Sequence, residues 1–126
     1  LPEKNKKTIS QAQQKQKDGK IVLTGIGTST GVVTAPACVL NSPADFESFQ
    51  PGSVLVAVTT TPAWTPLFSS ASAIVTDIGG PLSHSSIVAR EYGIPAVMAT
   101  HIATRAIKSG QMITVDGLAG TVTFDE

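Results

Sequence analysis

Three short, almost wholly apolar runs constrain this chain most: Val54–Val58, Ala73–Thr76 and Ala96–Met98. Apolar residues at nearly every position, rather than at alternate ones, indicate strands that are buried on both faces. The segments between the runs have a different pattern, since Pro66–Ala71 and Ser83–Tyr92 favour helices, and a glycine follows the second as a C-cap. The resulting β-α-β-α-β order predicts an α/β domain built on a small parallel sheet with flanking helices.

Further strands are predicted on either side of this unit. On the N-terminal side, Ile21–Gly25 and Val32–Leu40 have strand patterns, and Pro36 indicates an edge or a bend in the second. On the C-terminal side, Met112–Val115 and Thr121–Phe124 flank a Gly-containing turn and predict a β-hairpin. With 126 residues, 41% of them apolar, the chain has the length and the composition for one domain with its own core.

The first twenty residues differ from the rest in charge. They hold six of the nine basic residues, and without them three basic residues face seven acidic ones, a net charge of −4. A body of that sign argues against a nucleic-acid partner, which requires clustered Lys and Arg. Residues 1–20 also lack an apolar stripe. We therefore interpret them as a polar linker, or as a helix over Ser10–Lys17, and residues 21–126 as the folded domain.

The single cysteine and the hydropathy of the chain indicate the cellular compartment to expect. Cys38 is the only cysteine, so no disulfide framework is expected, and the cytoplasm is the natural location. No segment has the pattern of a secretory signal, and no apolar run approaches the roughly 20 residues that cross a bilayer, so no membrane association is expected. The chain begins with Leu rather than Met, as expected of an excised piece or a processed product.

One histidine is predicted to lie where ligands bind in an open α/β sheet, beyond the carboxyl ends of the strands. Two loops, residues 59–65 and 77–84, leave parallel strands at that edge. The second loop places His84 on the first turn of a helix, where free N–H groups and the helix dipole favour an anion. The same helix end, with Arg90 nearby, disfavours an imidazolium, whereas Asp77 acts in the opposite sense but is weakened by water and salt. We therefore expect a neutral, nucleophilic imidazole at pH 7.

The residues around this histidine suit a bound phosphoryl group. Gly79 and Gly80 let backbone approach a ligand without an intervening side chain. The hydroxyls of Ser83, Ser85 and Ser86 are candidate donors for a phosphate or for the helix cap. A histidine at a helix start is just as often a capping or surface residue, so these arguments leave the functional and the structural interpretation equally open.

The segment from Gly79 to Val97 resembles a known motif. It reads GGPLSHSSIVAREYGIPAV and is strongly similar to the phosphohistidine signature of the PEP-utilising enzymes. These include phosphoenolpyruvate synthase, pyruvate phosphate dikinase, enzyme I of the sugar phosphotransferase system and the rifampicin phosphotransferases. The similarity covers about residues 21–124. Outside the motif it is carried by residues 51–56, 61–68, 103–104 and 110–117.

This resemblance implies a swivelling β/β/α domain, whose histidine takes a phosphoryl group at an ATP-grasp nucleotide site and delivers it at a second, substrate site of the same parent enzyme. Carried over, His84 is the phosphorylated residue, and Gly79, Gly80, Ser83 and Arg90 are motif positions. The domain itself is expected to bind no cofactor; ATP and Mg²⁺ belong to the nucleotide domain, so the isolated domain should not turn over. The alternative is a non-catalytic swivel or docking module of the same fold, which the intact motif disfavours.

Two positions depart from the family pattern. Leu82 stands where several dikinases and synthases carry a regulatory Thr, so a phosphorylation switch at that position is not expected. Ala99 stands where many relatives have Gly, a difference that we expect to matter only to packing. The final acceptor, whether pyruvate, a carrier protein or an antibiotic, is chosen by domains outside this sequence.

Other patterns in the chain match known motifs only in part. Gly27–Gly31 fits the Gly-x-Ser-x-Gly pattern of hydrolases, but a nucleophile elbow requires a helix after the serine, and a strand is predicted here. The same glycine-rich run, which we interpret as a turn, misses the dinucleotide-binding spacing by one residue. No metal site is expected, because His84, His101 and Cys38 do not form a ligand cluster.

Overall fold

The computed structural model describes residues 14–17, by their backbone alone, and residues 19–125. Over these residues the strands form one mixed sheet in the order β1-β2-β9-β8-β4-β5-β6-β7-β3. The strands are β1 Gln14–Lys17, β2 Lys20–Thr24, β3 Ile26–Ser29, β4 Val32–Val39, β5 Val54–Ala57, β6 Ala73–Thr76, β7 Ala96–Met98, β8 Met112–Asp116 and β9 Thr121–Asp125. The α-helices are α1 Thr65–Phe68, α2 His84–Tyr92 and α3 Ala103–Ala106, and 3₁₀ helices span Pro43–Ser48 and Pro62–Trp64.

The predicted parallel unit is confirmed at the centre of the sheet. Strands β4, β5, β6 and β7 run parallel to one another, and every residue of β5, β6 and β7 is buried. Alternate residues enter opposite cores: Val54 and Val56 pack into one cluster, Leu55 and Ala57 into the other. Both faces of these strands are therefore covered, which explains why their sequences are apolar at every position.

The antiparallel half of the sheet folds over the parallel half. β8 and β9 form the predicted hairpin, and β2 extends it on the other side of β9. Leu23 and Phe124 of this half share a core cluster with Val54 and Val75 of the parallel half. The opposite face of the parallel strands is covered by α1 and α2, with Phe68 in the second cluster. The result is a sheet-on-sheet-on-helix arrangement of the α/β class, as expected.

Strand β4 lies inside the sheet, so the expectation that Pro36 marks an edge strand is wrong. The strand changes partners at this residue. Val32–Pro36 pair with β8, and Ala37–Val39 also pair with β5. Because the Ala37 N–H bonds to Gln111 on the β8 side, the alternation of the strand turns the Pro36 nitrogen toward β5. The pairing with β5 begins only at Ala37, so the missing N–H of proline interrupts no ladder bond.

The glycine-rich run that we interpreted as a turn contains strand β3, which pairs antiparallel with β7. A Cβ added to Gly27 would lie 2.0 Å from the carbonyl oxygen of Gly117, and one added to Gly117 would lie 1.8 Å from that of Ser29. The turn of the β8–β9 hairpin therefore rests backbone to backbone against β3. The glycines serve this close approach, and not a nucleotide-binding loop.

The N-terminal segment also differs from expectation where the structure describes it. Gln14–Lys17 form a strand that pairs antiparallel with β2, so the helical alternative is wrong for these residues. Gly19, with φ of 78°, lies in the turn between the two strands. The rest of the Ser10–Lys17 prediction lies outside the described residues. At the same end of β2, directly after this turn, Lys20 and Asp125 are cross-strand partners, and their Nζ and Oδ1 atoms are 2.7 Å apart.

Candidate active site

Helix α2 begins at His84, directly after the loop that leaves β6. Ser83 is its extended N-cap residue, and Gly93 ends it in the left-handed conformation with φ of 70°, as the sequence predicted. The Ser83 hydroxyl does not cap the helix but donates to the Gly80 carbonyl oxygen at 2.8 Å. Gly79 has φ of 130°, a conformation that favours glycine at the start of this loop.

The imidazole of His84 is held by three side chains from the loop after β5 and from α1. Thr60 Oγ1 lies 2.8 Å from Nδ1, and Thr65 Oγ1 lies 3.2 Å from Nε2. The ring of Phe68 meets the imidazole edge to face, with 5.8 Å between ring centroids. The two loops that the sequence placed at this edge of the sheet therefore meet at His84.

The two ring nitrogens have different surroundings. Thr60 is buried, and its Oγ1 lies 2.6 Å from the hydroxyl of Ser85, which is also buried. Nδ1 therefore faces a hydroxyl pair inside the fold. Nε2 faces Thr65, which is only partly buried. Of the two nitrogens, Nε2 is the one turned toward the more open side.

Burial lowers the pKa of His84 below its ordinary value of 6.5, because the charged imidazolium loses solvation in this position. A lowered pKa was also expected from the sequence, but there it was attributed to the helix end and to Arg90. A lowered pKa leaves the imidazole neutral at pH 7, the form in which a ring nitrogen can attack an electrophile.

Arg90 and Asp77, the two charged residues considered beside His84, are engaged elsewhere. The Arg90 guanidinium donates to the carbonyl oxygens of Thr28, at 3.0 Å, and of Pro81, at 2.8 Å. The Asp77 carboxylate accepts hydrogen bonds from the backbone N–H and the hydroxyl of Thr104, at 3.0 and 2.5 Å. Arg90 thus holds the loop of residues 77–83, which we call the histidine loop, and Asp77 holds the start of α3.

The serine hydroxyls of the motif are bonded within the fold. Ser85 and Ser86 are both buried. Ser86 Oγ lies 2.7 Å from the Gly80 carbonyl oxygen and 3.2 Å from Ser83 Oγ. Gly80 itself has open space where a Cβ would be. These hydroxyls connect the loop to the first turns of α2, a supporting arrangement rather than a set of free donors.

The sequence identified His84 and its loop but not the residues that hold its ring. Thr60 and Thr65 lie in a run with several other threonines, and period-2 or helical patterns do not tell which hydroxyl faces inward in a loop. Phe68 was included in the predicted helix Pro66–Ala71 but was not singled out as a contact of the histidine. Thr28 lay in the run taken for a turn. The one signal in the sequence that pointed toward Thr60 and Thr65 was the position of residues 59–65 at the carboxyl end of β5.

Other kinds of site receive no support from the described part of the chain. It contains no group of three or more His, Cys, Asp or Glu side chains that could hold a metal ion. Within residues 14–17 and 19–125, no helix is long and apolar enough to cross a membrane. His101 lies in the loop after β7 and is exposed, and its backbone N–H bonds to the Asp77 carbonyl oxygen at 2.9 Å.

Comparison with known proteins agrees with the geometry. Residues 49–120 match the family model described as PEP-utilising enzyme, mobile domain. The uncharacterized phosphotransferase YvkC of Bacillus subtilis is 52% identical over 99 residues, which make up 79% of this chain and 12% of that protein. A probable phosphoenolpyruvate synthase of Archaeoglobus fulgidus is 40% identical over 119 residues, 94% of this chain and 16% of that protein.

A solved structure supports the same assignment. The NMR solution structure of Enzyme I superposes with a TM-score of 0.52 at 36% identity, over 59% of this chain and 31% of that chain. The chain thus spans less than a fifth of the length of the two curated relatives and about a third of this structure.

Proposed function

We propose, from the premise that this chain belongs to the family of PEP-utilising enzyme mobile domains, that it is a phosphoryl carrier whose working residue is His84. In this proposal His84 accepts a phosphoryl group at a nucleotide site and passes it to a second substrate site. Both sites belong to other domains of a multidomain, cytoplasmic phosphotransferase. The observation that carries the proposal is the held imidazole, with Nδ1 bonded to a buried hydroxyl and Nε2 on the more open side.

The transfer step follows from this arrangement. In the tautomer that we propose, Nδ1 carries the ring proton and donates a hydrogen bond to Thr60 Oγ1, 2.8 Å away, which leaves the lone pair on Nε2. The lone pair forms a bond to phosphorus while the bond between phosphorus and the oxygen of the leaving group breaks, and the electron pair goes to that oxygen. The second transfer reverses the step with a new acceptor, and the imidazole is regenerated.

The side chains around the ring have distinct tasks in this step. Thr60 fixes the ring orientation. Thr65, 3.2 Å from Nε2, must give way to the phosphoryl group and can then donate to one of its oxygens. Burial keeps the nucleophile neutral. Gly79, Gly80, Ser83, Ser85, Ser86 and Arg90 support the phosphate indirectly, by shaping the loop that presents His84.

The nucleotide chemistry is assigned to the partner domains. An ATP-grasp-like domain would supply ATP and Mg²⁺, which neutralises charge on the transferring group. A substrate domain would supply the acceptor. Because the nucleotide and the acceptor are bound by these partner domains in this proposal, the isolated domain should not turn over by itself.

The test is phosphorylation of the multidomain parent with ATP and Mg²⁺, followed by mass spectrometry under alkaline conditions. We expect an acid-labile, base-stable phosphate on His84. The His84→Asn variant should lose the label completely, and the matched His101→Asn variant should keep it. A label on His101, or one that survives in His84→Asn, contradicts the assignment; no label in the wild-type protein would favour a non-catalytic docking module.

A further inference from the structure

Two side chains of α2 reach from the histidine loop to one residue of β3. Arg90 bridges the carbonyl oxygens of Pro81 and Thr28, at 2.8 and 3.0 Å. The Ser86 hydroxyl lies 2.7 Å from the Gly80 carbonyl oxygen and donates to Thr28 Oγ1 at 2.9 Å, so that its proton is shared between two acceptors. Both connections therefore end on Thr28, one on its backbone and one on its side chain.

The histidine loop has little packing of its own on this side. Gly79 and Gly80 have no side chains, and the Leu82 side chain is 86% exposed. The Gly80 carbonyl oxygen accepts from both the N–H and the hydroxyl of Ser83, but these bonds stay within the loop. The contacts through Arg90 and Ser86 connect the loop to the β3 edge of the sheet.

Strand β3, to which these contacts lead, is itself held by its neighbours in the sheet. It is paired with β7 on one side, and its backbone lies against the turn of the β8–β9 hairpin. The Gly25 N–H bonds to the Gly120 carbonyl oxygen at 2.8 Å. An added Cβ on Gly27 would meet backbone at 2.0 Å, so β3 lies in close backbone contact with the hairpin. Thr28 is itself buried, with 9% of its surface exposed.

We propose that Thr28 is a positioning residue for His84: its hydroxyl and carbonyl oxygens hold α2 and the histidine loop against the sheet, so that the imidazole stays between Thr60 and Thr65. The role rests on the proposed carrier function of His84. Thr28 precedes residues 49–120, the part that matches the family model. Thr28 therefore lies outside both the Gly79–Val97 motif and the region that matches the family model.

The substitution that tests this role is Thr28→Val, which keeps the side-chain shape and the Arg90 bond to the backbone. Ser86 retains the Gly80 carbonyl oxygen as an acceptor, so no buried donor is left unpaired and the fold should persist. In single-turnover labelling of the multidomain parent at saturating ATP and Mg²⁺, we expect His84 to be phosphorylated about fivefold more slowly. The KM for ATP should not change, because the nucleotide binds to another domain.

Two variants serve as controls. Thr28→Ser restores the hydroxyl and should restore the rate. Thr34→Val removes a hydroxyl from another Thr–Thr pair, with Thr114 across β4 and β8, and should behave as wild type. In parallel, NMR of the 126-residue chain should show line-broadened His84 imidazole signals in Thr28→Val alone, with an unfolding midpoint near that of wild type.

The outcomes separate this inference from the carrier function. Equal labelling rates and identical imidazole signals in wild type and Thr28→Val would overturn the role of Thr28 and leave the carrier function standing. Absence of His84 labelling in wild type would contradict the carrier function, and the imidazole signals alone would then decide whether Thr28 positions the ring. If Thr28→Val slows labelling and Thr28→Ser does not restore the rate, the positioning role of Thr28 is likewise overturned.

Discussion

Burial of His84 links its protonation to the stability of the domain. Its pKa is lowered in the folded state, so the unfolded chain binds a proton at a pH where the folded chain does not. The contribution to stability is complete above the ordinary value of 6.5 and is lost as the pH falls through the lowered pKa.

A pH series of denaturant unfolding measures this linkage. We expect the unfolding free energy of the wild-type chain to fall between pH 7 and about pH 5. His84→Asn should show a shallower slope over the same range. A steeper fall in His84→Asn would mean that folding raises the pKa.

Ala99 has a backbone conformation that its sequence context did not reveal. Its φ of 58° is left-handed, as is the φ of 70° at His101. The expectation that alanine instead of glycine matters only to packing is therefore wrong. An L-residue in this region costs about 1–2 kcal/mol, although glycine also gains entropy in the unfolded chain.

Ala99→Gly should therefore stabilise the domain, by about 0.5–1 kcal/mol in chemical denaturation. Ala44→Gly is the matched control, because Ala44 is exposed in a 3₁₀ helix and is not among the residues with positive φ. It should lower the unfolding free energy by about the same amount. Loss of stability in both variants would show that Ala99 is not strained.

His84 could be proposed as the candidate site from the sequence because two independent signals coincide there, a helix start after a buried strand and a long motif. Thr60 and Thr65 could not be found, because their role depends on how a loop crosses over another loop. Ser85 and Ser86 were predicted as donors for a phosphate or for the helix cap. Their hydroxyls instead point into the fold, because α2 packs against β3 and against the loop after β5, and this packing cannot be read from the sequence.

At the scale of elements, the contact between β3 and the turn of the β8–β9 hairpin leaves no room for a side chain at Gly27. Gly27→Ala places a methyl group 2.0 Å from the Gly117 carbonyl oxygen, and backbone on both sides has to move. We expect a loss of at least about 2–3 kcal/mol in the unfolding free energy. Gly80→Ala, with open space and no positive φ, should change it by less than about 1 kcal/mol.

Strands were predictable where burial on both faces makes the sequence apolar, as in β5, β6 and β7. β3 was missed because its glycines, needed for backbone contact, have the composition of a turn. β1 was missed because its residues are polar and its pairing with β2 leaves no pattern. The four-residue helix α3 was not predicted either; the Asp77 carboxylate, distant in sequence, binds its Thr104.

For the molecule as a whole, the first twenty residues should contribute little to the core. The buried cluster of the antiparallel half begins at Leu23. Deletion of residues 1–18 removes strand β1 and exposes the edge of β2. We expect the unfolding free energy to fall by no more than about 2 kcal/mol. A loss of several kcal/mol would make the segment part of the packed domain, and deletion through Leu23 should prevent folding.

The pairing of Lys20 with Asp125 has a topological consequence. Since these residues lie side by side across β2 and β9, a short bridge can join them, and we expect the chain to fold when it is opened at an exposed turn instead. A circular permutant that joins Asp125 to Lys20 through a short Gly-Ser bridge, and is opened at the exposed turn around Pro51, lacks β1 but should keep strands β2 to β9 in place. Its new ends lie at the amino ends of the parallel strands, opposite His84. We therefore expect the permuted chain, in which these strands follow one another in a different order, to present the histidine in the same way.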